Sequence, residues 1–193
     1  MFYTHKGTEK LFESLTIPKA VFLAESVSGD SSFSHATAFC QAVERAAEIE
    51  VPFRALMVRT ILLELERICN HVADIGAIAT DVGFVVANAH ATRLKEFMFT
   101  VNEHLAGNRL LRGMVCLGGV RRAWDTAQRD VLSKALEAFE REFQDLMNLI
   151  DASESTRDRL EHTGILRPNK ARDLGIVGVA GRDPDAPPEQ RRL

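Results

Sequence analysis

The stretch VPFRALMVRTILLELERICNHVADIGAIAT, residues 51–80, has one proline, at its second position, and a single interior glycine. Its apolar residues Leu56, Ile61, Leu65, Ile68, Val72 and Ile75 recur mostly at steps of three or four. That period belongs to a helix and not to a strand, whose side chains alternate. One long helix over 51–80 therefore anchors the fold. A second follows over 123–150, where Val131, Leu132, Leu136, Phe139, Phe143, Leu146 and Leu149 make an apolar stripe. Shorter helices are predicted at 8–15, 19–27, 32–47, 88–105, 153–160 and 168–173. Pro18, Pro52 and Pro168 each sit where a first helical turn tolerates proline. Only 110–116, before Gly118-Gly119, reads as a strand, and 175–181 is a glycine-rich loop. The fold class is mainly α, a helical bundle. The last eleven residues, 183–193, hold three of the six prolines and read as a disordered tail.

Composition narrows the function. With 193 residues, 46% of them apolar and a net charge of −3, the chain has material for a core and is no disordered segment. Balanced charge and 7% aromatic content exclude the basic or base-stacking surfaces of nucleic-acid binders. Cys40, Cys69 and Cys116 are odd in number, far apart and set among apolar residues, which fits core packing in a reducing compartment. No apolar run is long enough to cross a bilayer, and the N-terminus lacks the charged opening and apolar core of a signal peptide.

Polarity sits in unexpected places. Glu64, Arg67, His71 and Asp74 share one stripe of the long helix, and Glu66, Asn70, Ala77 and Asp81 mark an adjacent one. Apolar flanks on both sides leave two readings open: a solvent-facing ladder, or buried charges that need partners. A second cluster, Ser26 to His35, crowds hydroxyls, a carboxylate and an imidazole around Gly29 between two helices. Spacing alone favours a helix N-cap there. His5 and Glu9 lie one turn apart, but neither HExxH nor a Cys/His ligand set occurs, so no metal site is expected.

On these motifs the chain resembles the large subunit of nickel–iron hydrogenases and the related quinone-site subunit of respiratory complex I. The likeness is strongest to the energy-converting group that includes the formate hydrogenlyase large subunit. It rests on Thr4-His5-Lys6-Gly7-Thr8-Glu9-Lys10, the loop from Ser28 to His35, Ala42-Val43-Glu44 and Arg54 to Arg59. Further on it continues through Glu64-Leu65-Glu66-Arg67 with His71, Gly107-Asn108-Arg109, Gly118-Gly119-Val120 and Thr163-Gly164-Ile165. The resemblance covers about residues 3–182 and implies the central part of a truncated hydrogenase-large-subunit-like domain, 1–182. Where hydrogenases carry Cys-x-x-Cys on the metal, this chain has Ser28, Gly29, Asp30 and Ser31. A serine hydroxyl does not replace a thiolate bridging soft metals, so the resemblance implies a degenerate metal or quinone loop without a nickel–iron centre. Gly29 stands where complex I has a tyrosine at the quinone headgroup.

The resemblance further implies proton-relay or cavity roles for Glu9, His35, Arg59, Glu64, Arg67 and His71. It shifts the reading of the long helix towards partly buried, partnered charges, with Arg67 the central cation of Glu64 and His71. The implied activity is electron transfer of the NADH–quinone oxidoreductase type coupled to proton movement. NAD and quinone binding would then belong to the complex, and no cofactor to this chain. The implied partners are a small iron–sulfur subunit, whose cluster it would abut, and membrane subunits that hold it at the cytoplasmic face of the inner membrane. A degenerate helical scaffold that only docks the iron–sulfur subunit is the alternative. Isolated, the chain is expected to be inactive and to self-associate through exposed apolar faces.

Overall fold

The structure, a computed structural model, describes residues 6–176. Five helices lead the chain: α1 (Thr8–Phe12), α2 (Ile17–Ala24), α3 (Ser32–Ala46), α4 (Phe53–Asp81) and α5 (Val85–Ala106). A two-stranded hairpin, β1 (Val115–Cys116) and β2 (Gly119–Val120), precedes α6 (Thr126–Asp151). The chain divides into two units, residues 1–153 and 154–193. The second holds α7 (Glu154–Leu160) and α8 (Pro168–Asp173), with Gly164 in the left-handed conformation between them. The proposed tail 183–193, the 177–181 part of the glycine-rich loop and His5 lie outside the described residues.

The mainly α reading holds, and α4 coincides with the predicted long helix to within two residues at its start. Pro52 occupies its N-cap, and Pro18 and Pro168 lie in the first turns of α2 and α8. α1 stops at Phe12, short of the predicted residue 15, and α5 begins three residues before its predicted start. The strand expected over 110–116 contracts to β1, and Gly118 at φ 77° turns the chain so that Val115 faces Val120 and Cys116 faces Gly119. α6 begins with a capping box: the Asp125 side chain accepts from the Gln128 N–H, and the Gln128 side chain accepts from the Asp125 N–H.

The core of the first unit lies along one seam of α4, where Val58, Leu62, Leu65, Cys69, Val72, Gly76 and Ala79 are all buried. Successive members stand four and three residues apart, the spacing that keeps side chains on one face. The N-terminal half of this seam meets Val21 and Ala24 of α2, Phe33, Ala36 and Cys40 of α3, and Met114 and Val115 of the hairpin. Its C-terminal half packs with Ala87, Ala91 and Leu94 of α5 and Leu146 of α6. Gly76 sets the closeness of α4 to α5: a Cβ there would stand 2.9 Å from Asn88 Oδ1 and 3.0 Å from the Ala91 Cβ. Cys40 and Cys69 are buried as expected, and Cys116 is half-buried.

Candidate functional site

The loop between α2 and α3 is held by four side chains. Lys6 Nζ donates to the carbonyls of Ser26 at 2.8 Å and Val27 at 3.2 Å. On α4, the Glu66 carboxylate accepts from the backbone N–H of Phe33 at 2.7 Å and of Ser34 at 3.1 Å. These are among the first N–H groups of α3, which have no partner inside the helix, and a carboxylate also suits the positive end of the helix dipole. One turn further along α4, Asn70 Nδ2 donates to the Asp30 carbonyl at 3.0 Å. From the hairpin side, Arg112 Nε donates to Ser32 Oγ at 3.1 Å, while that hydroxyl donates to the Ser28 and Gly29 carbonyls. The expected N-cap is thus supplied in a different way. Ser31 occupies the cap position without a side-chain cap bond, and Glu66 takes over from a distance of 32 residues or more.

Behind the loop lies a cavity of about 10 Å³, bounded by Gly29, Asp30, Glu66, Cys69, Asn70 and Asn102 among others. This is room for about one water molecule. The Asn102 amide donates to the Arg109 carbonyl at 3.3 Å and approaches Cys69 Sγ at 3.7 Å, while its Oδ1 is buried without a partner. Burial pushes the Cys69 thiol up to about 11, so it stays protonated at neutral pH. Ser28 and Ser31 present hard hydroxyls, whereas a nickel–iron centre takes soft thiolates. Among the described residues no group of three or more His, Cys, Asp or Glu side chains is placed to hold a metal ion. A quinone ring does not fit this cavity either, which has room for about one water molecule.

A second polar assembly lies where α3, α4 and the hairpin meet. Arg59, 2% exposed, makes a two-pronged pair with Glu44, Nη1 to Oε2 at 2.9 Å and Nη2 to Oε1 at 2.7 Å. The same guanidinium donates to the Cys116 carbonyl at 2.8 Å and to the Gly119 carbonyl at 2.9 and 3.1 Å. Glu44 also accepts from the Gly118 N–H at 2.8 Å. The arrangement ties α3 and α4 to the hairpin turn. The Arg59 hydrogen bonds hold the Glu44 carboxyl below its ordinary range. Burial alone would lower the Arg59 pKa, but the bonds and charge of Glu44 outweigh it and leave it raised.

Glu25, just past the end of α2, is a further buried carboxylate: 6% exposed, it accepts from the Gly113 N–H at 2.6 Å. Burial raises its pKa, against the opposing pull of that bond and of Arg112 and Arg121. A carboxyl that holds its proton more tightly folded than unfolded favours the fold at low pH. That advantage disappears as pH rises through the window between its unfolded and raised folded values. Glu25→Gln keeps an acceptor for Gly113 and removes the charge. It is expected to raise stability at pH 7 and to lose that gain as pH falls through the carboxylate range, as urea melts at stepped pH will read.

The six predicted relay residues do not form one site. Arg59 is enclosed in its own assembly, and Glu9 and His35 are exposed on α1 and α3. Glu64 and Arg67 do pair, at 3.3 Å, but their side chains are 51% and 60% exposed, and His71 is exposed as well. The expected partly buried triad centred on Arg67 is therefore corrected: this stripe faces water, and the buried charges are those of the neighbouring faces, Arg59 and Glu66. Arg67→Ala should then cost about 1 kcal/mol or less in a urea melt, the limit for an exposed pair. Glu25, Glu44, Lys6, Asn102 and Arg112 carry structural weight that no spacing rule singled out. Glu66 and Asn70 did leave a trace, a carboxylate and an amide four residues apart on one helix face.

The described residues thus form a helical domain in which α4 and the segment before the hairpin hold a serine-bearing interhelical loop. The chain belongs to the family described as "Respiratory-chain NADH dehydrogenase, 49 Kd subunit", whose model matches residues 81–192. It is similar to hydrogenase-4 component G of Escherichia coli strain K12, 35% identical over 175 residues, which cover 90% of this chain and 32% of that protein. Formate hydrogenlyase subunit 5 of the same strain is 34% identical over 181 residues, 92% of this chain and 32% of that protein. The D component of NADH-quinone oxidoreductase from Campylobacter curvus is 31% identical over 177 residues, 92% of this chain and 43% of that protein. The chain thus spans about a third to two fifths of the length of these relatives.

Proposed function

We propose that this chain is part of a complex-I-like, hydrogenase-related oxidoreductase subunit that keeps the family's metal-loop scaffold without its nickel–iron centre. The observation that carries this reading is the loop at 28–31. Ser28 and Ser31 replace soft ligands, yet Lys6, Glu66, Asn70 and Arg112 still fix its backbone. In this reading the electrons reach the loop region from the cluster of a small iron–sulfur subunit, and the whole complex carries out NADH–quinone oxidoreductase chemistry coupled to proton movement. A quinone chamber at the 28–31 loop needs walls beyond those the described residues supply there, because the cavity behind the loop is about 10 Å³. Membrane subunits hold the complex at the cytoplasmic face; no helix among the described residues is itself long and apolar enough to cross a membrane. Exposed side chains such as Phe53, Val85 and Val86 supply apolar surface for partners, or for self-association of the isolated chain.

The test is purification of the native complex through a tag on this chain, followed by elemental analysis, electron paramagnetic resonance and quinone reduction. An iron–sulfur signal with quinone-dependent turnover and no stoichiometric nickel supports the reading. One nickel per chain overturns it. The exposed Glu64–Arg67 stripe favours a second reading, a scaffold that docks the iron–sulfur subunit and takes no part in electron transfer. Co-purification of that subunit without quinone-dependent turnover selects it.

A further inference from the structure

Apart from the loop and its clamps, the first unit carries a groove of about 420 Å³ lined by Arg54, Met57, Val58, Ile61, Trp124 and Arg129. Its volume is within the range of small-molecule sites. Three observations give it a chemical character. The first is charge. Arg54 Nη2 donates to the Trp124 carbonyl, and Arg129 donates to the Asp125 carbonyl at 3.3 Å and to Thr126 Oγ1 at 3.1 Å. Both guanidinium groups are thus steadied by neutral acceptors, and neither has a carboxylate partner among the described residues. No acidic residue lines the groove, and the neighbouring Asp125 caps α6, its Oδ1 accepting from the Gln128 N–H.

The second observation is the wall. Met57 and Ile61 add thioether and aliphatic surface to the lining beside the mostly buried Val58, and Met57 is 47% exposed. The third is an orphan donor. Trp124 is 3% exposed, and its indole N–H is buried with no acceptor. A buried tryptophan N–H ordinarily finds a partner, and leaving it unmade is costly.

Two guanidinium forks and an apolar wall complement one kind of molecule. We propose that this groove binds an amphiphilic anion, a phosphate or carboxylate headgroup carried on an apolar body. The headgroup oxygens accept from Arg54 and Arg129, for which planar bidentate pairing is well suited. The apolar body covers Met57, Val58 and Ile61. A free alkyl phosphate or fatty acid and the headgroup region of an anionic bilayer lipid share this chemistry. The site is independent of the function proposed for the loop.

Trp124 is the single tryptophan of the chain, so its emission reports on the groove directly. The 193-residue protein is titrated with dodecyl phosphate below its micellar concentration, and in parallel with dodecyl maltoside and with inorganic phosphate. The expected result is a saturable change in emission with dodecyl phosphate. Arg129→Gln should weaken it about tenfold, the scale of one charge-assisted hydrogen bond. Equal binding of the neutral maltoside, equal binding of inorganic phosphate, or an unchanged affinity in Arg129→Gln overturns the proposal. The first two comparisons use the unaltered chain and so stand even if the variant misfolds. Emission changes with phosphatidylglycerol vesicles but not phosphatidylcholine vesicles assign the site to a bilayer lipid. Binding of dodecyl phosphate without any vesicle response assigns it to a free amphiphile.

Discussion

Arg59→Ala lowers the unfolding free energy by about 3–5 kcal/mol, the cost of breaking a buried ion pair by removing one partner. The substitution leaves the Glu44 carboxylate, 5% exposed, with the Gly118 N–H as its remaining donor among the described residues, and removes one donor from the Cys116 and Gly119 carbonyls. Arg59→Lys keeps the charge but not the planar fork that reaches Glu44 and both carbonyls at once, so it recovers only part of the loss. Urea unfolding measures both variants. The pH dependence supplies an independent reading. A carboxyl whose pKa is lowered on folding adds stability above its unfolded value, and that stability is lost as pH falls through the lowered folded value. Glu44 is such a group because of Arg59. Arg59→Ala should therefore flatten the acid limb of the stability curve as well as lower its plateau. A loss below about 1 kcal/mol would mean that this pair behaves as an exposed one.

Glu66→Ala has the second largest expected effect, about 1–3 kcal/mol, because it leaves buried donors at the start of α3 without an acceptor. Glu66→Gln retains one carbonyl oxygen and should lose less. Stability alone does not locate the damage, and amide hydrogen exchange does. The N–H groups of Phe33 and Ser34 should lose protection in Glu66→Ala, while those in the middle of α5 exchange at the rate set by the change in global stability. Uniform loss across all helices would show that the carboxylate is not a local clamp.

Much of the architecture was legible because α4 and α6 declare themselves by period and length. The exact face of α4 was not. Leucine and isoleucine flank both polar stripes, so counting apolar neighbours does not say which stripe points inward. A finer signal exists in the run Val58, Leu62, Leu65, Cys69, Val72, Gly76 and Ala79, an unbroken alternation of four and three with no charged member. Arg59 and Glu66 lie seven residues apart directly beside that seam, whereas Glu64 and Arg67 lie away from it. The candidate loop was legible as a cluster of hydroxyls around Gly29. Its clamps were not, because Lys6, Glu66 and Arg112 approach from separations of 20 to 80 residues and no local pattern encodes such meetings. The hairpin was half legible: glycine at 118 supplied the turn, but strands of two residues are too short to alternate.

The spacing of attachments along α4 has a mechanical consequence. Arg59 grips the hairpin, Glu66 and Asn70 grip the loop, and Gly76 lies against α5, all on a single unbroken helix. At a rise of about 1.5 Å per residue, the grip on the hairpin and the last grip on the loop are about 16 Å apart along one stiff rod. A rod fastened at several points ties them to one another, so the position of the hairpin turn and that of the 28–31 loop are both referred to the same helix. The loop and the hairpin are in this sense two marks on one ruler, against which α5 packs at Gly76.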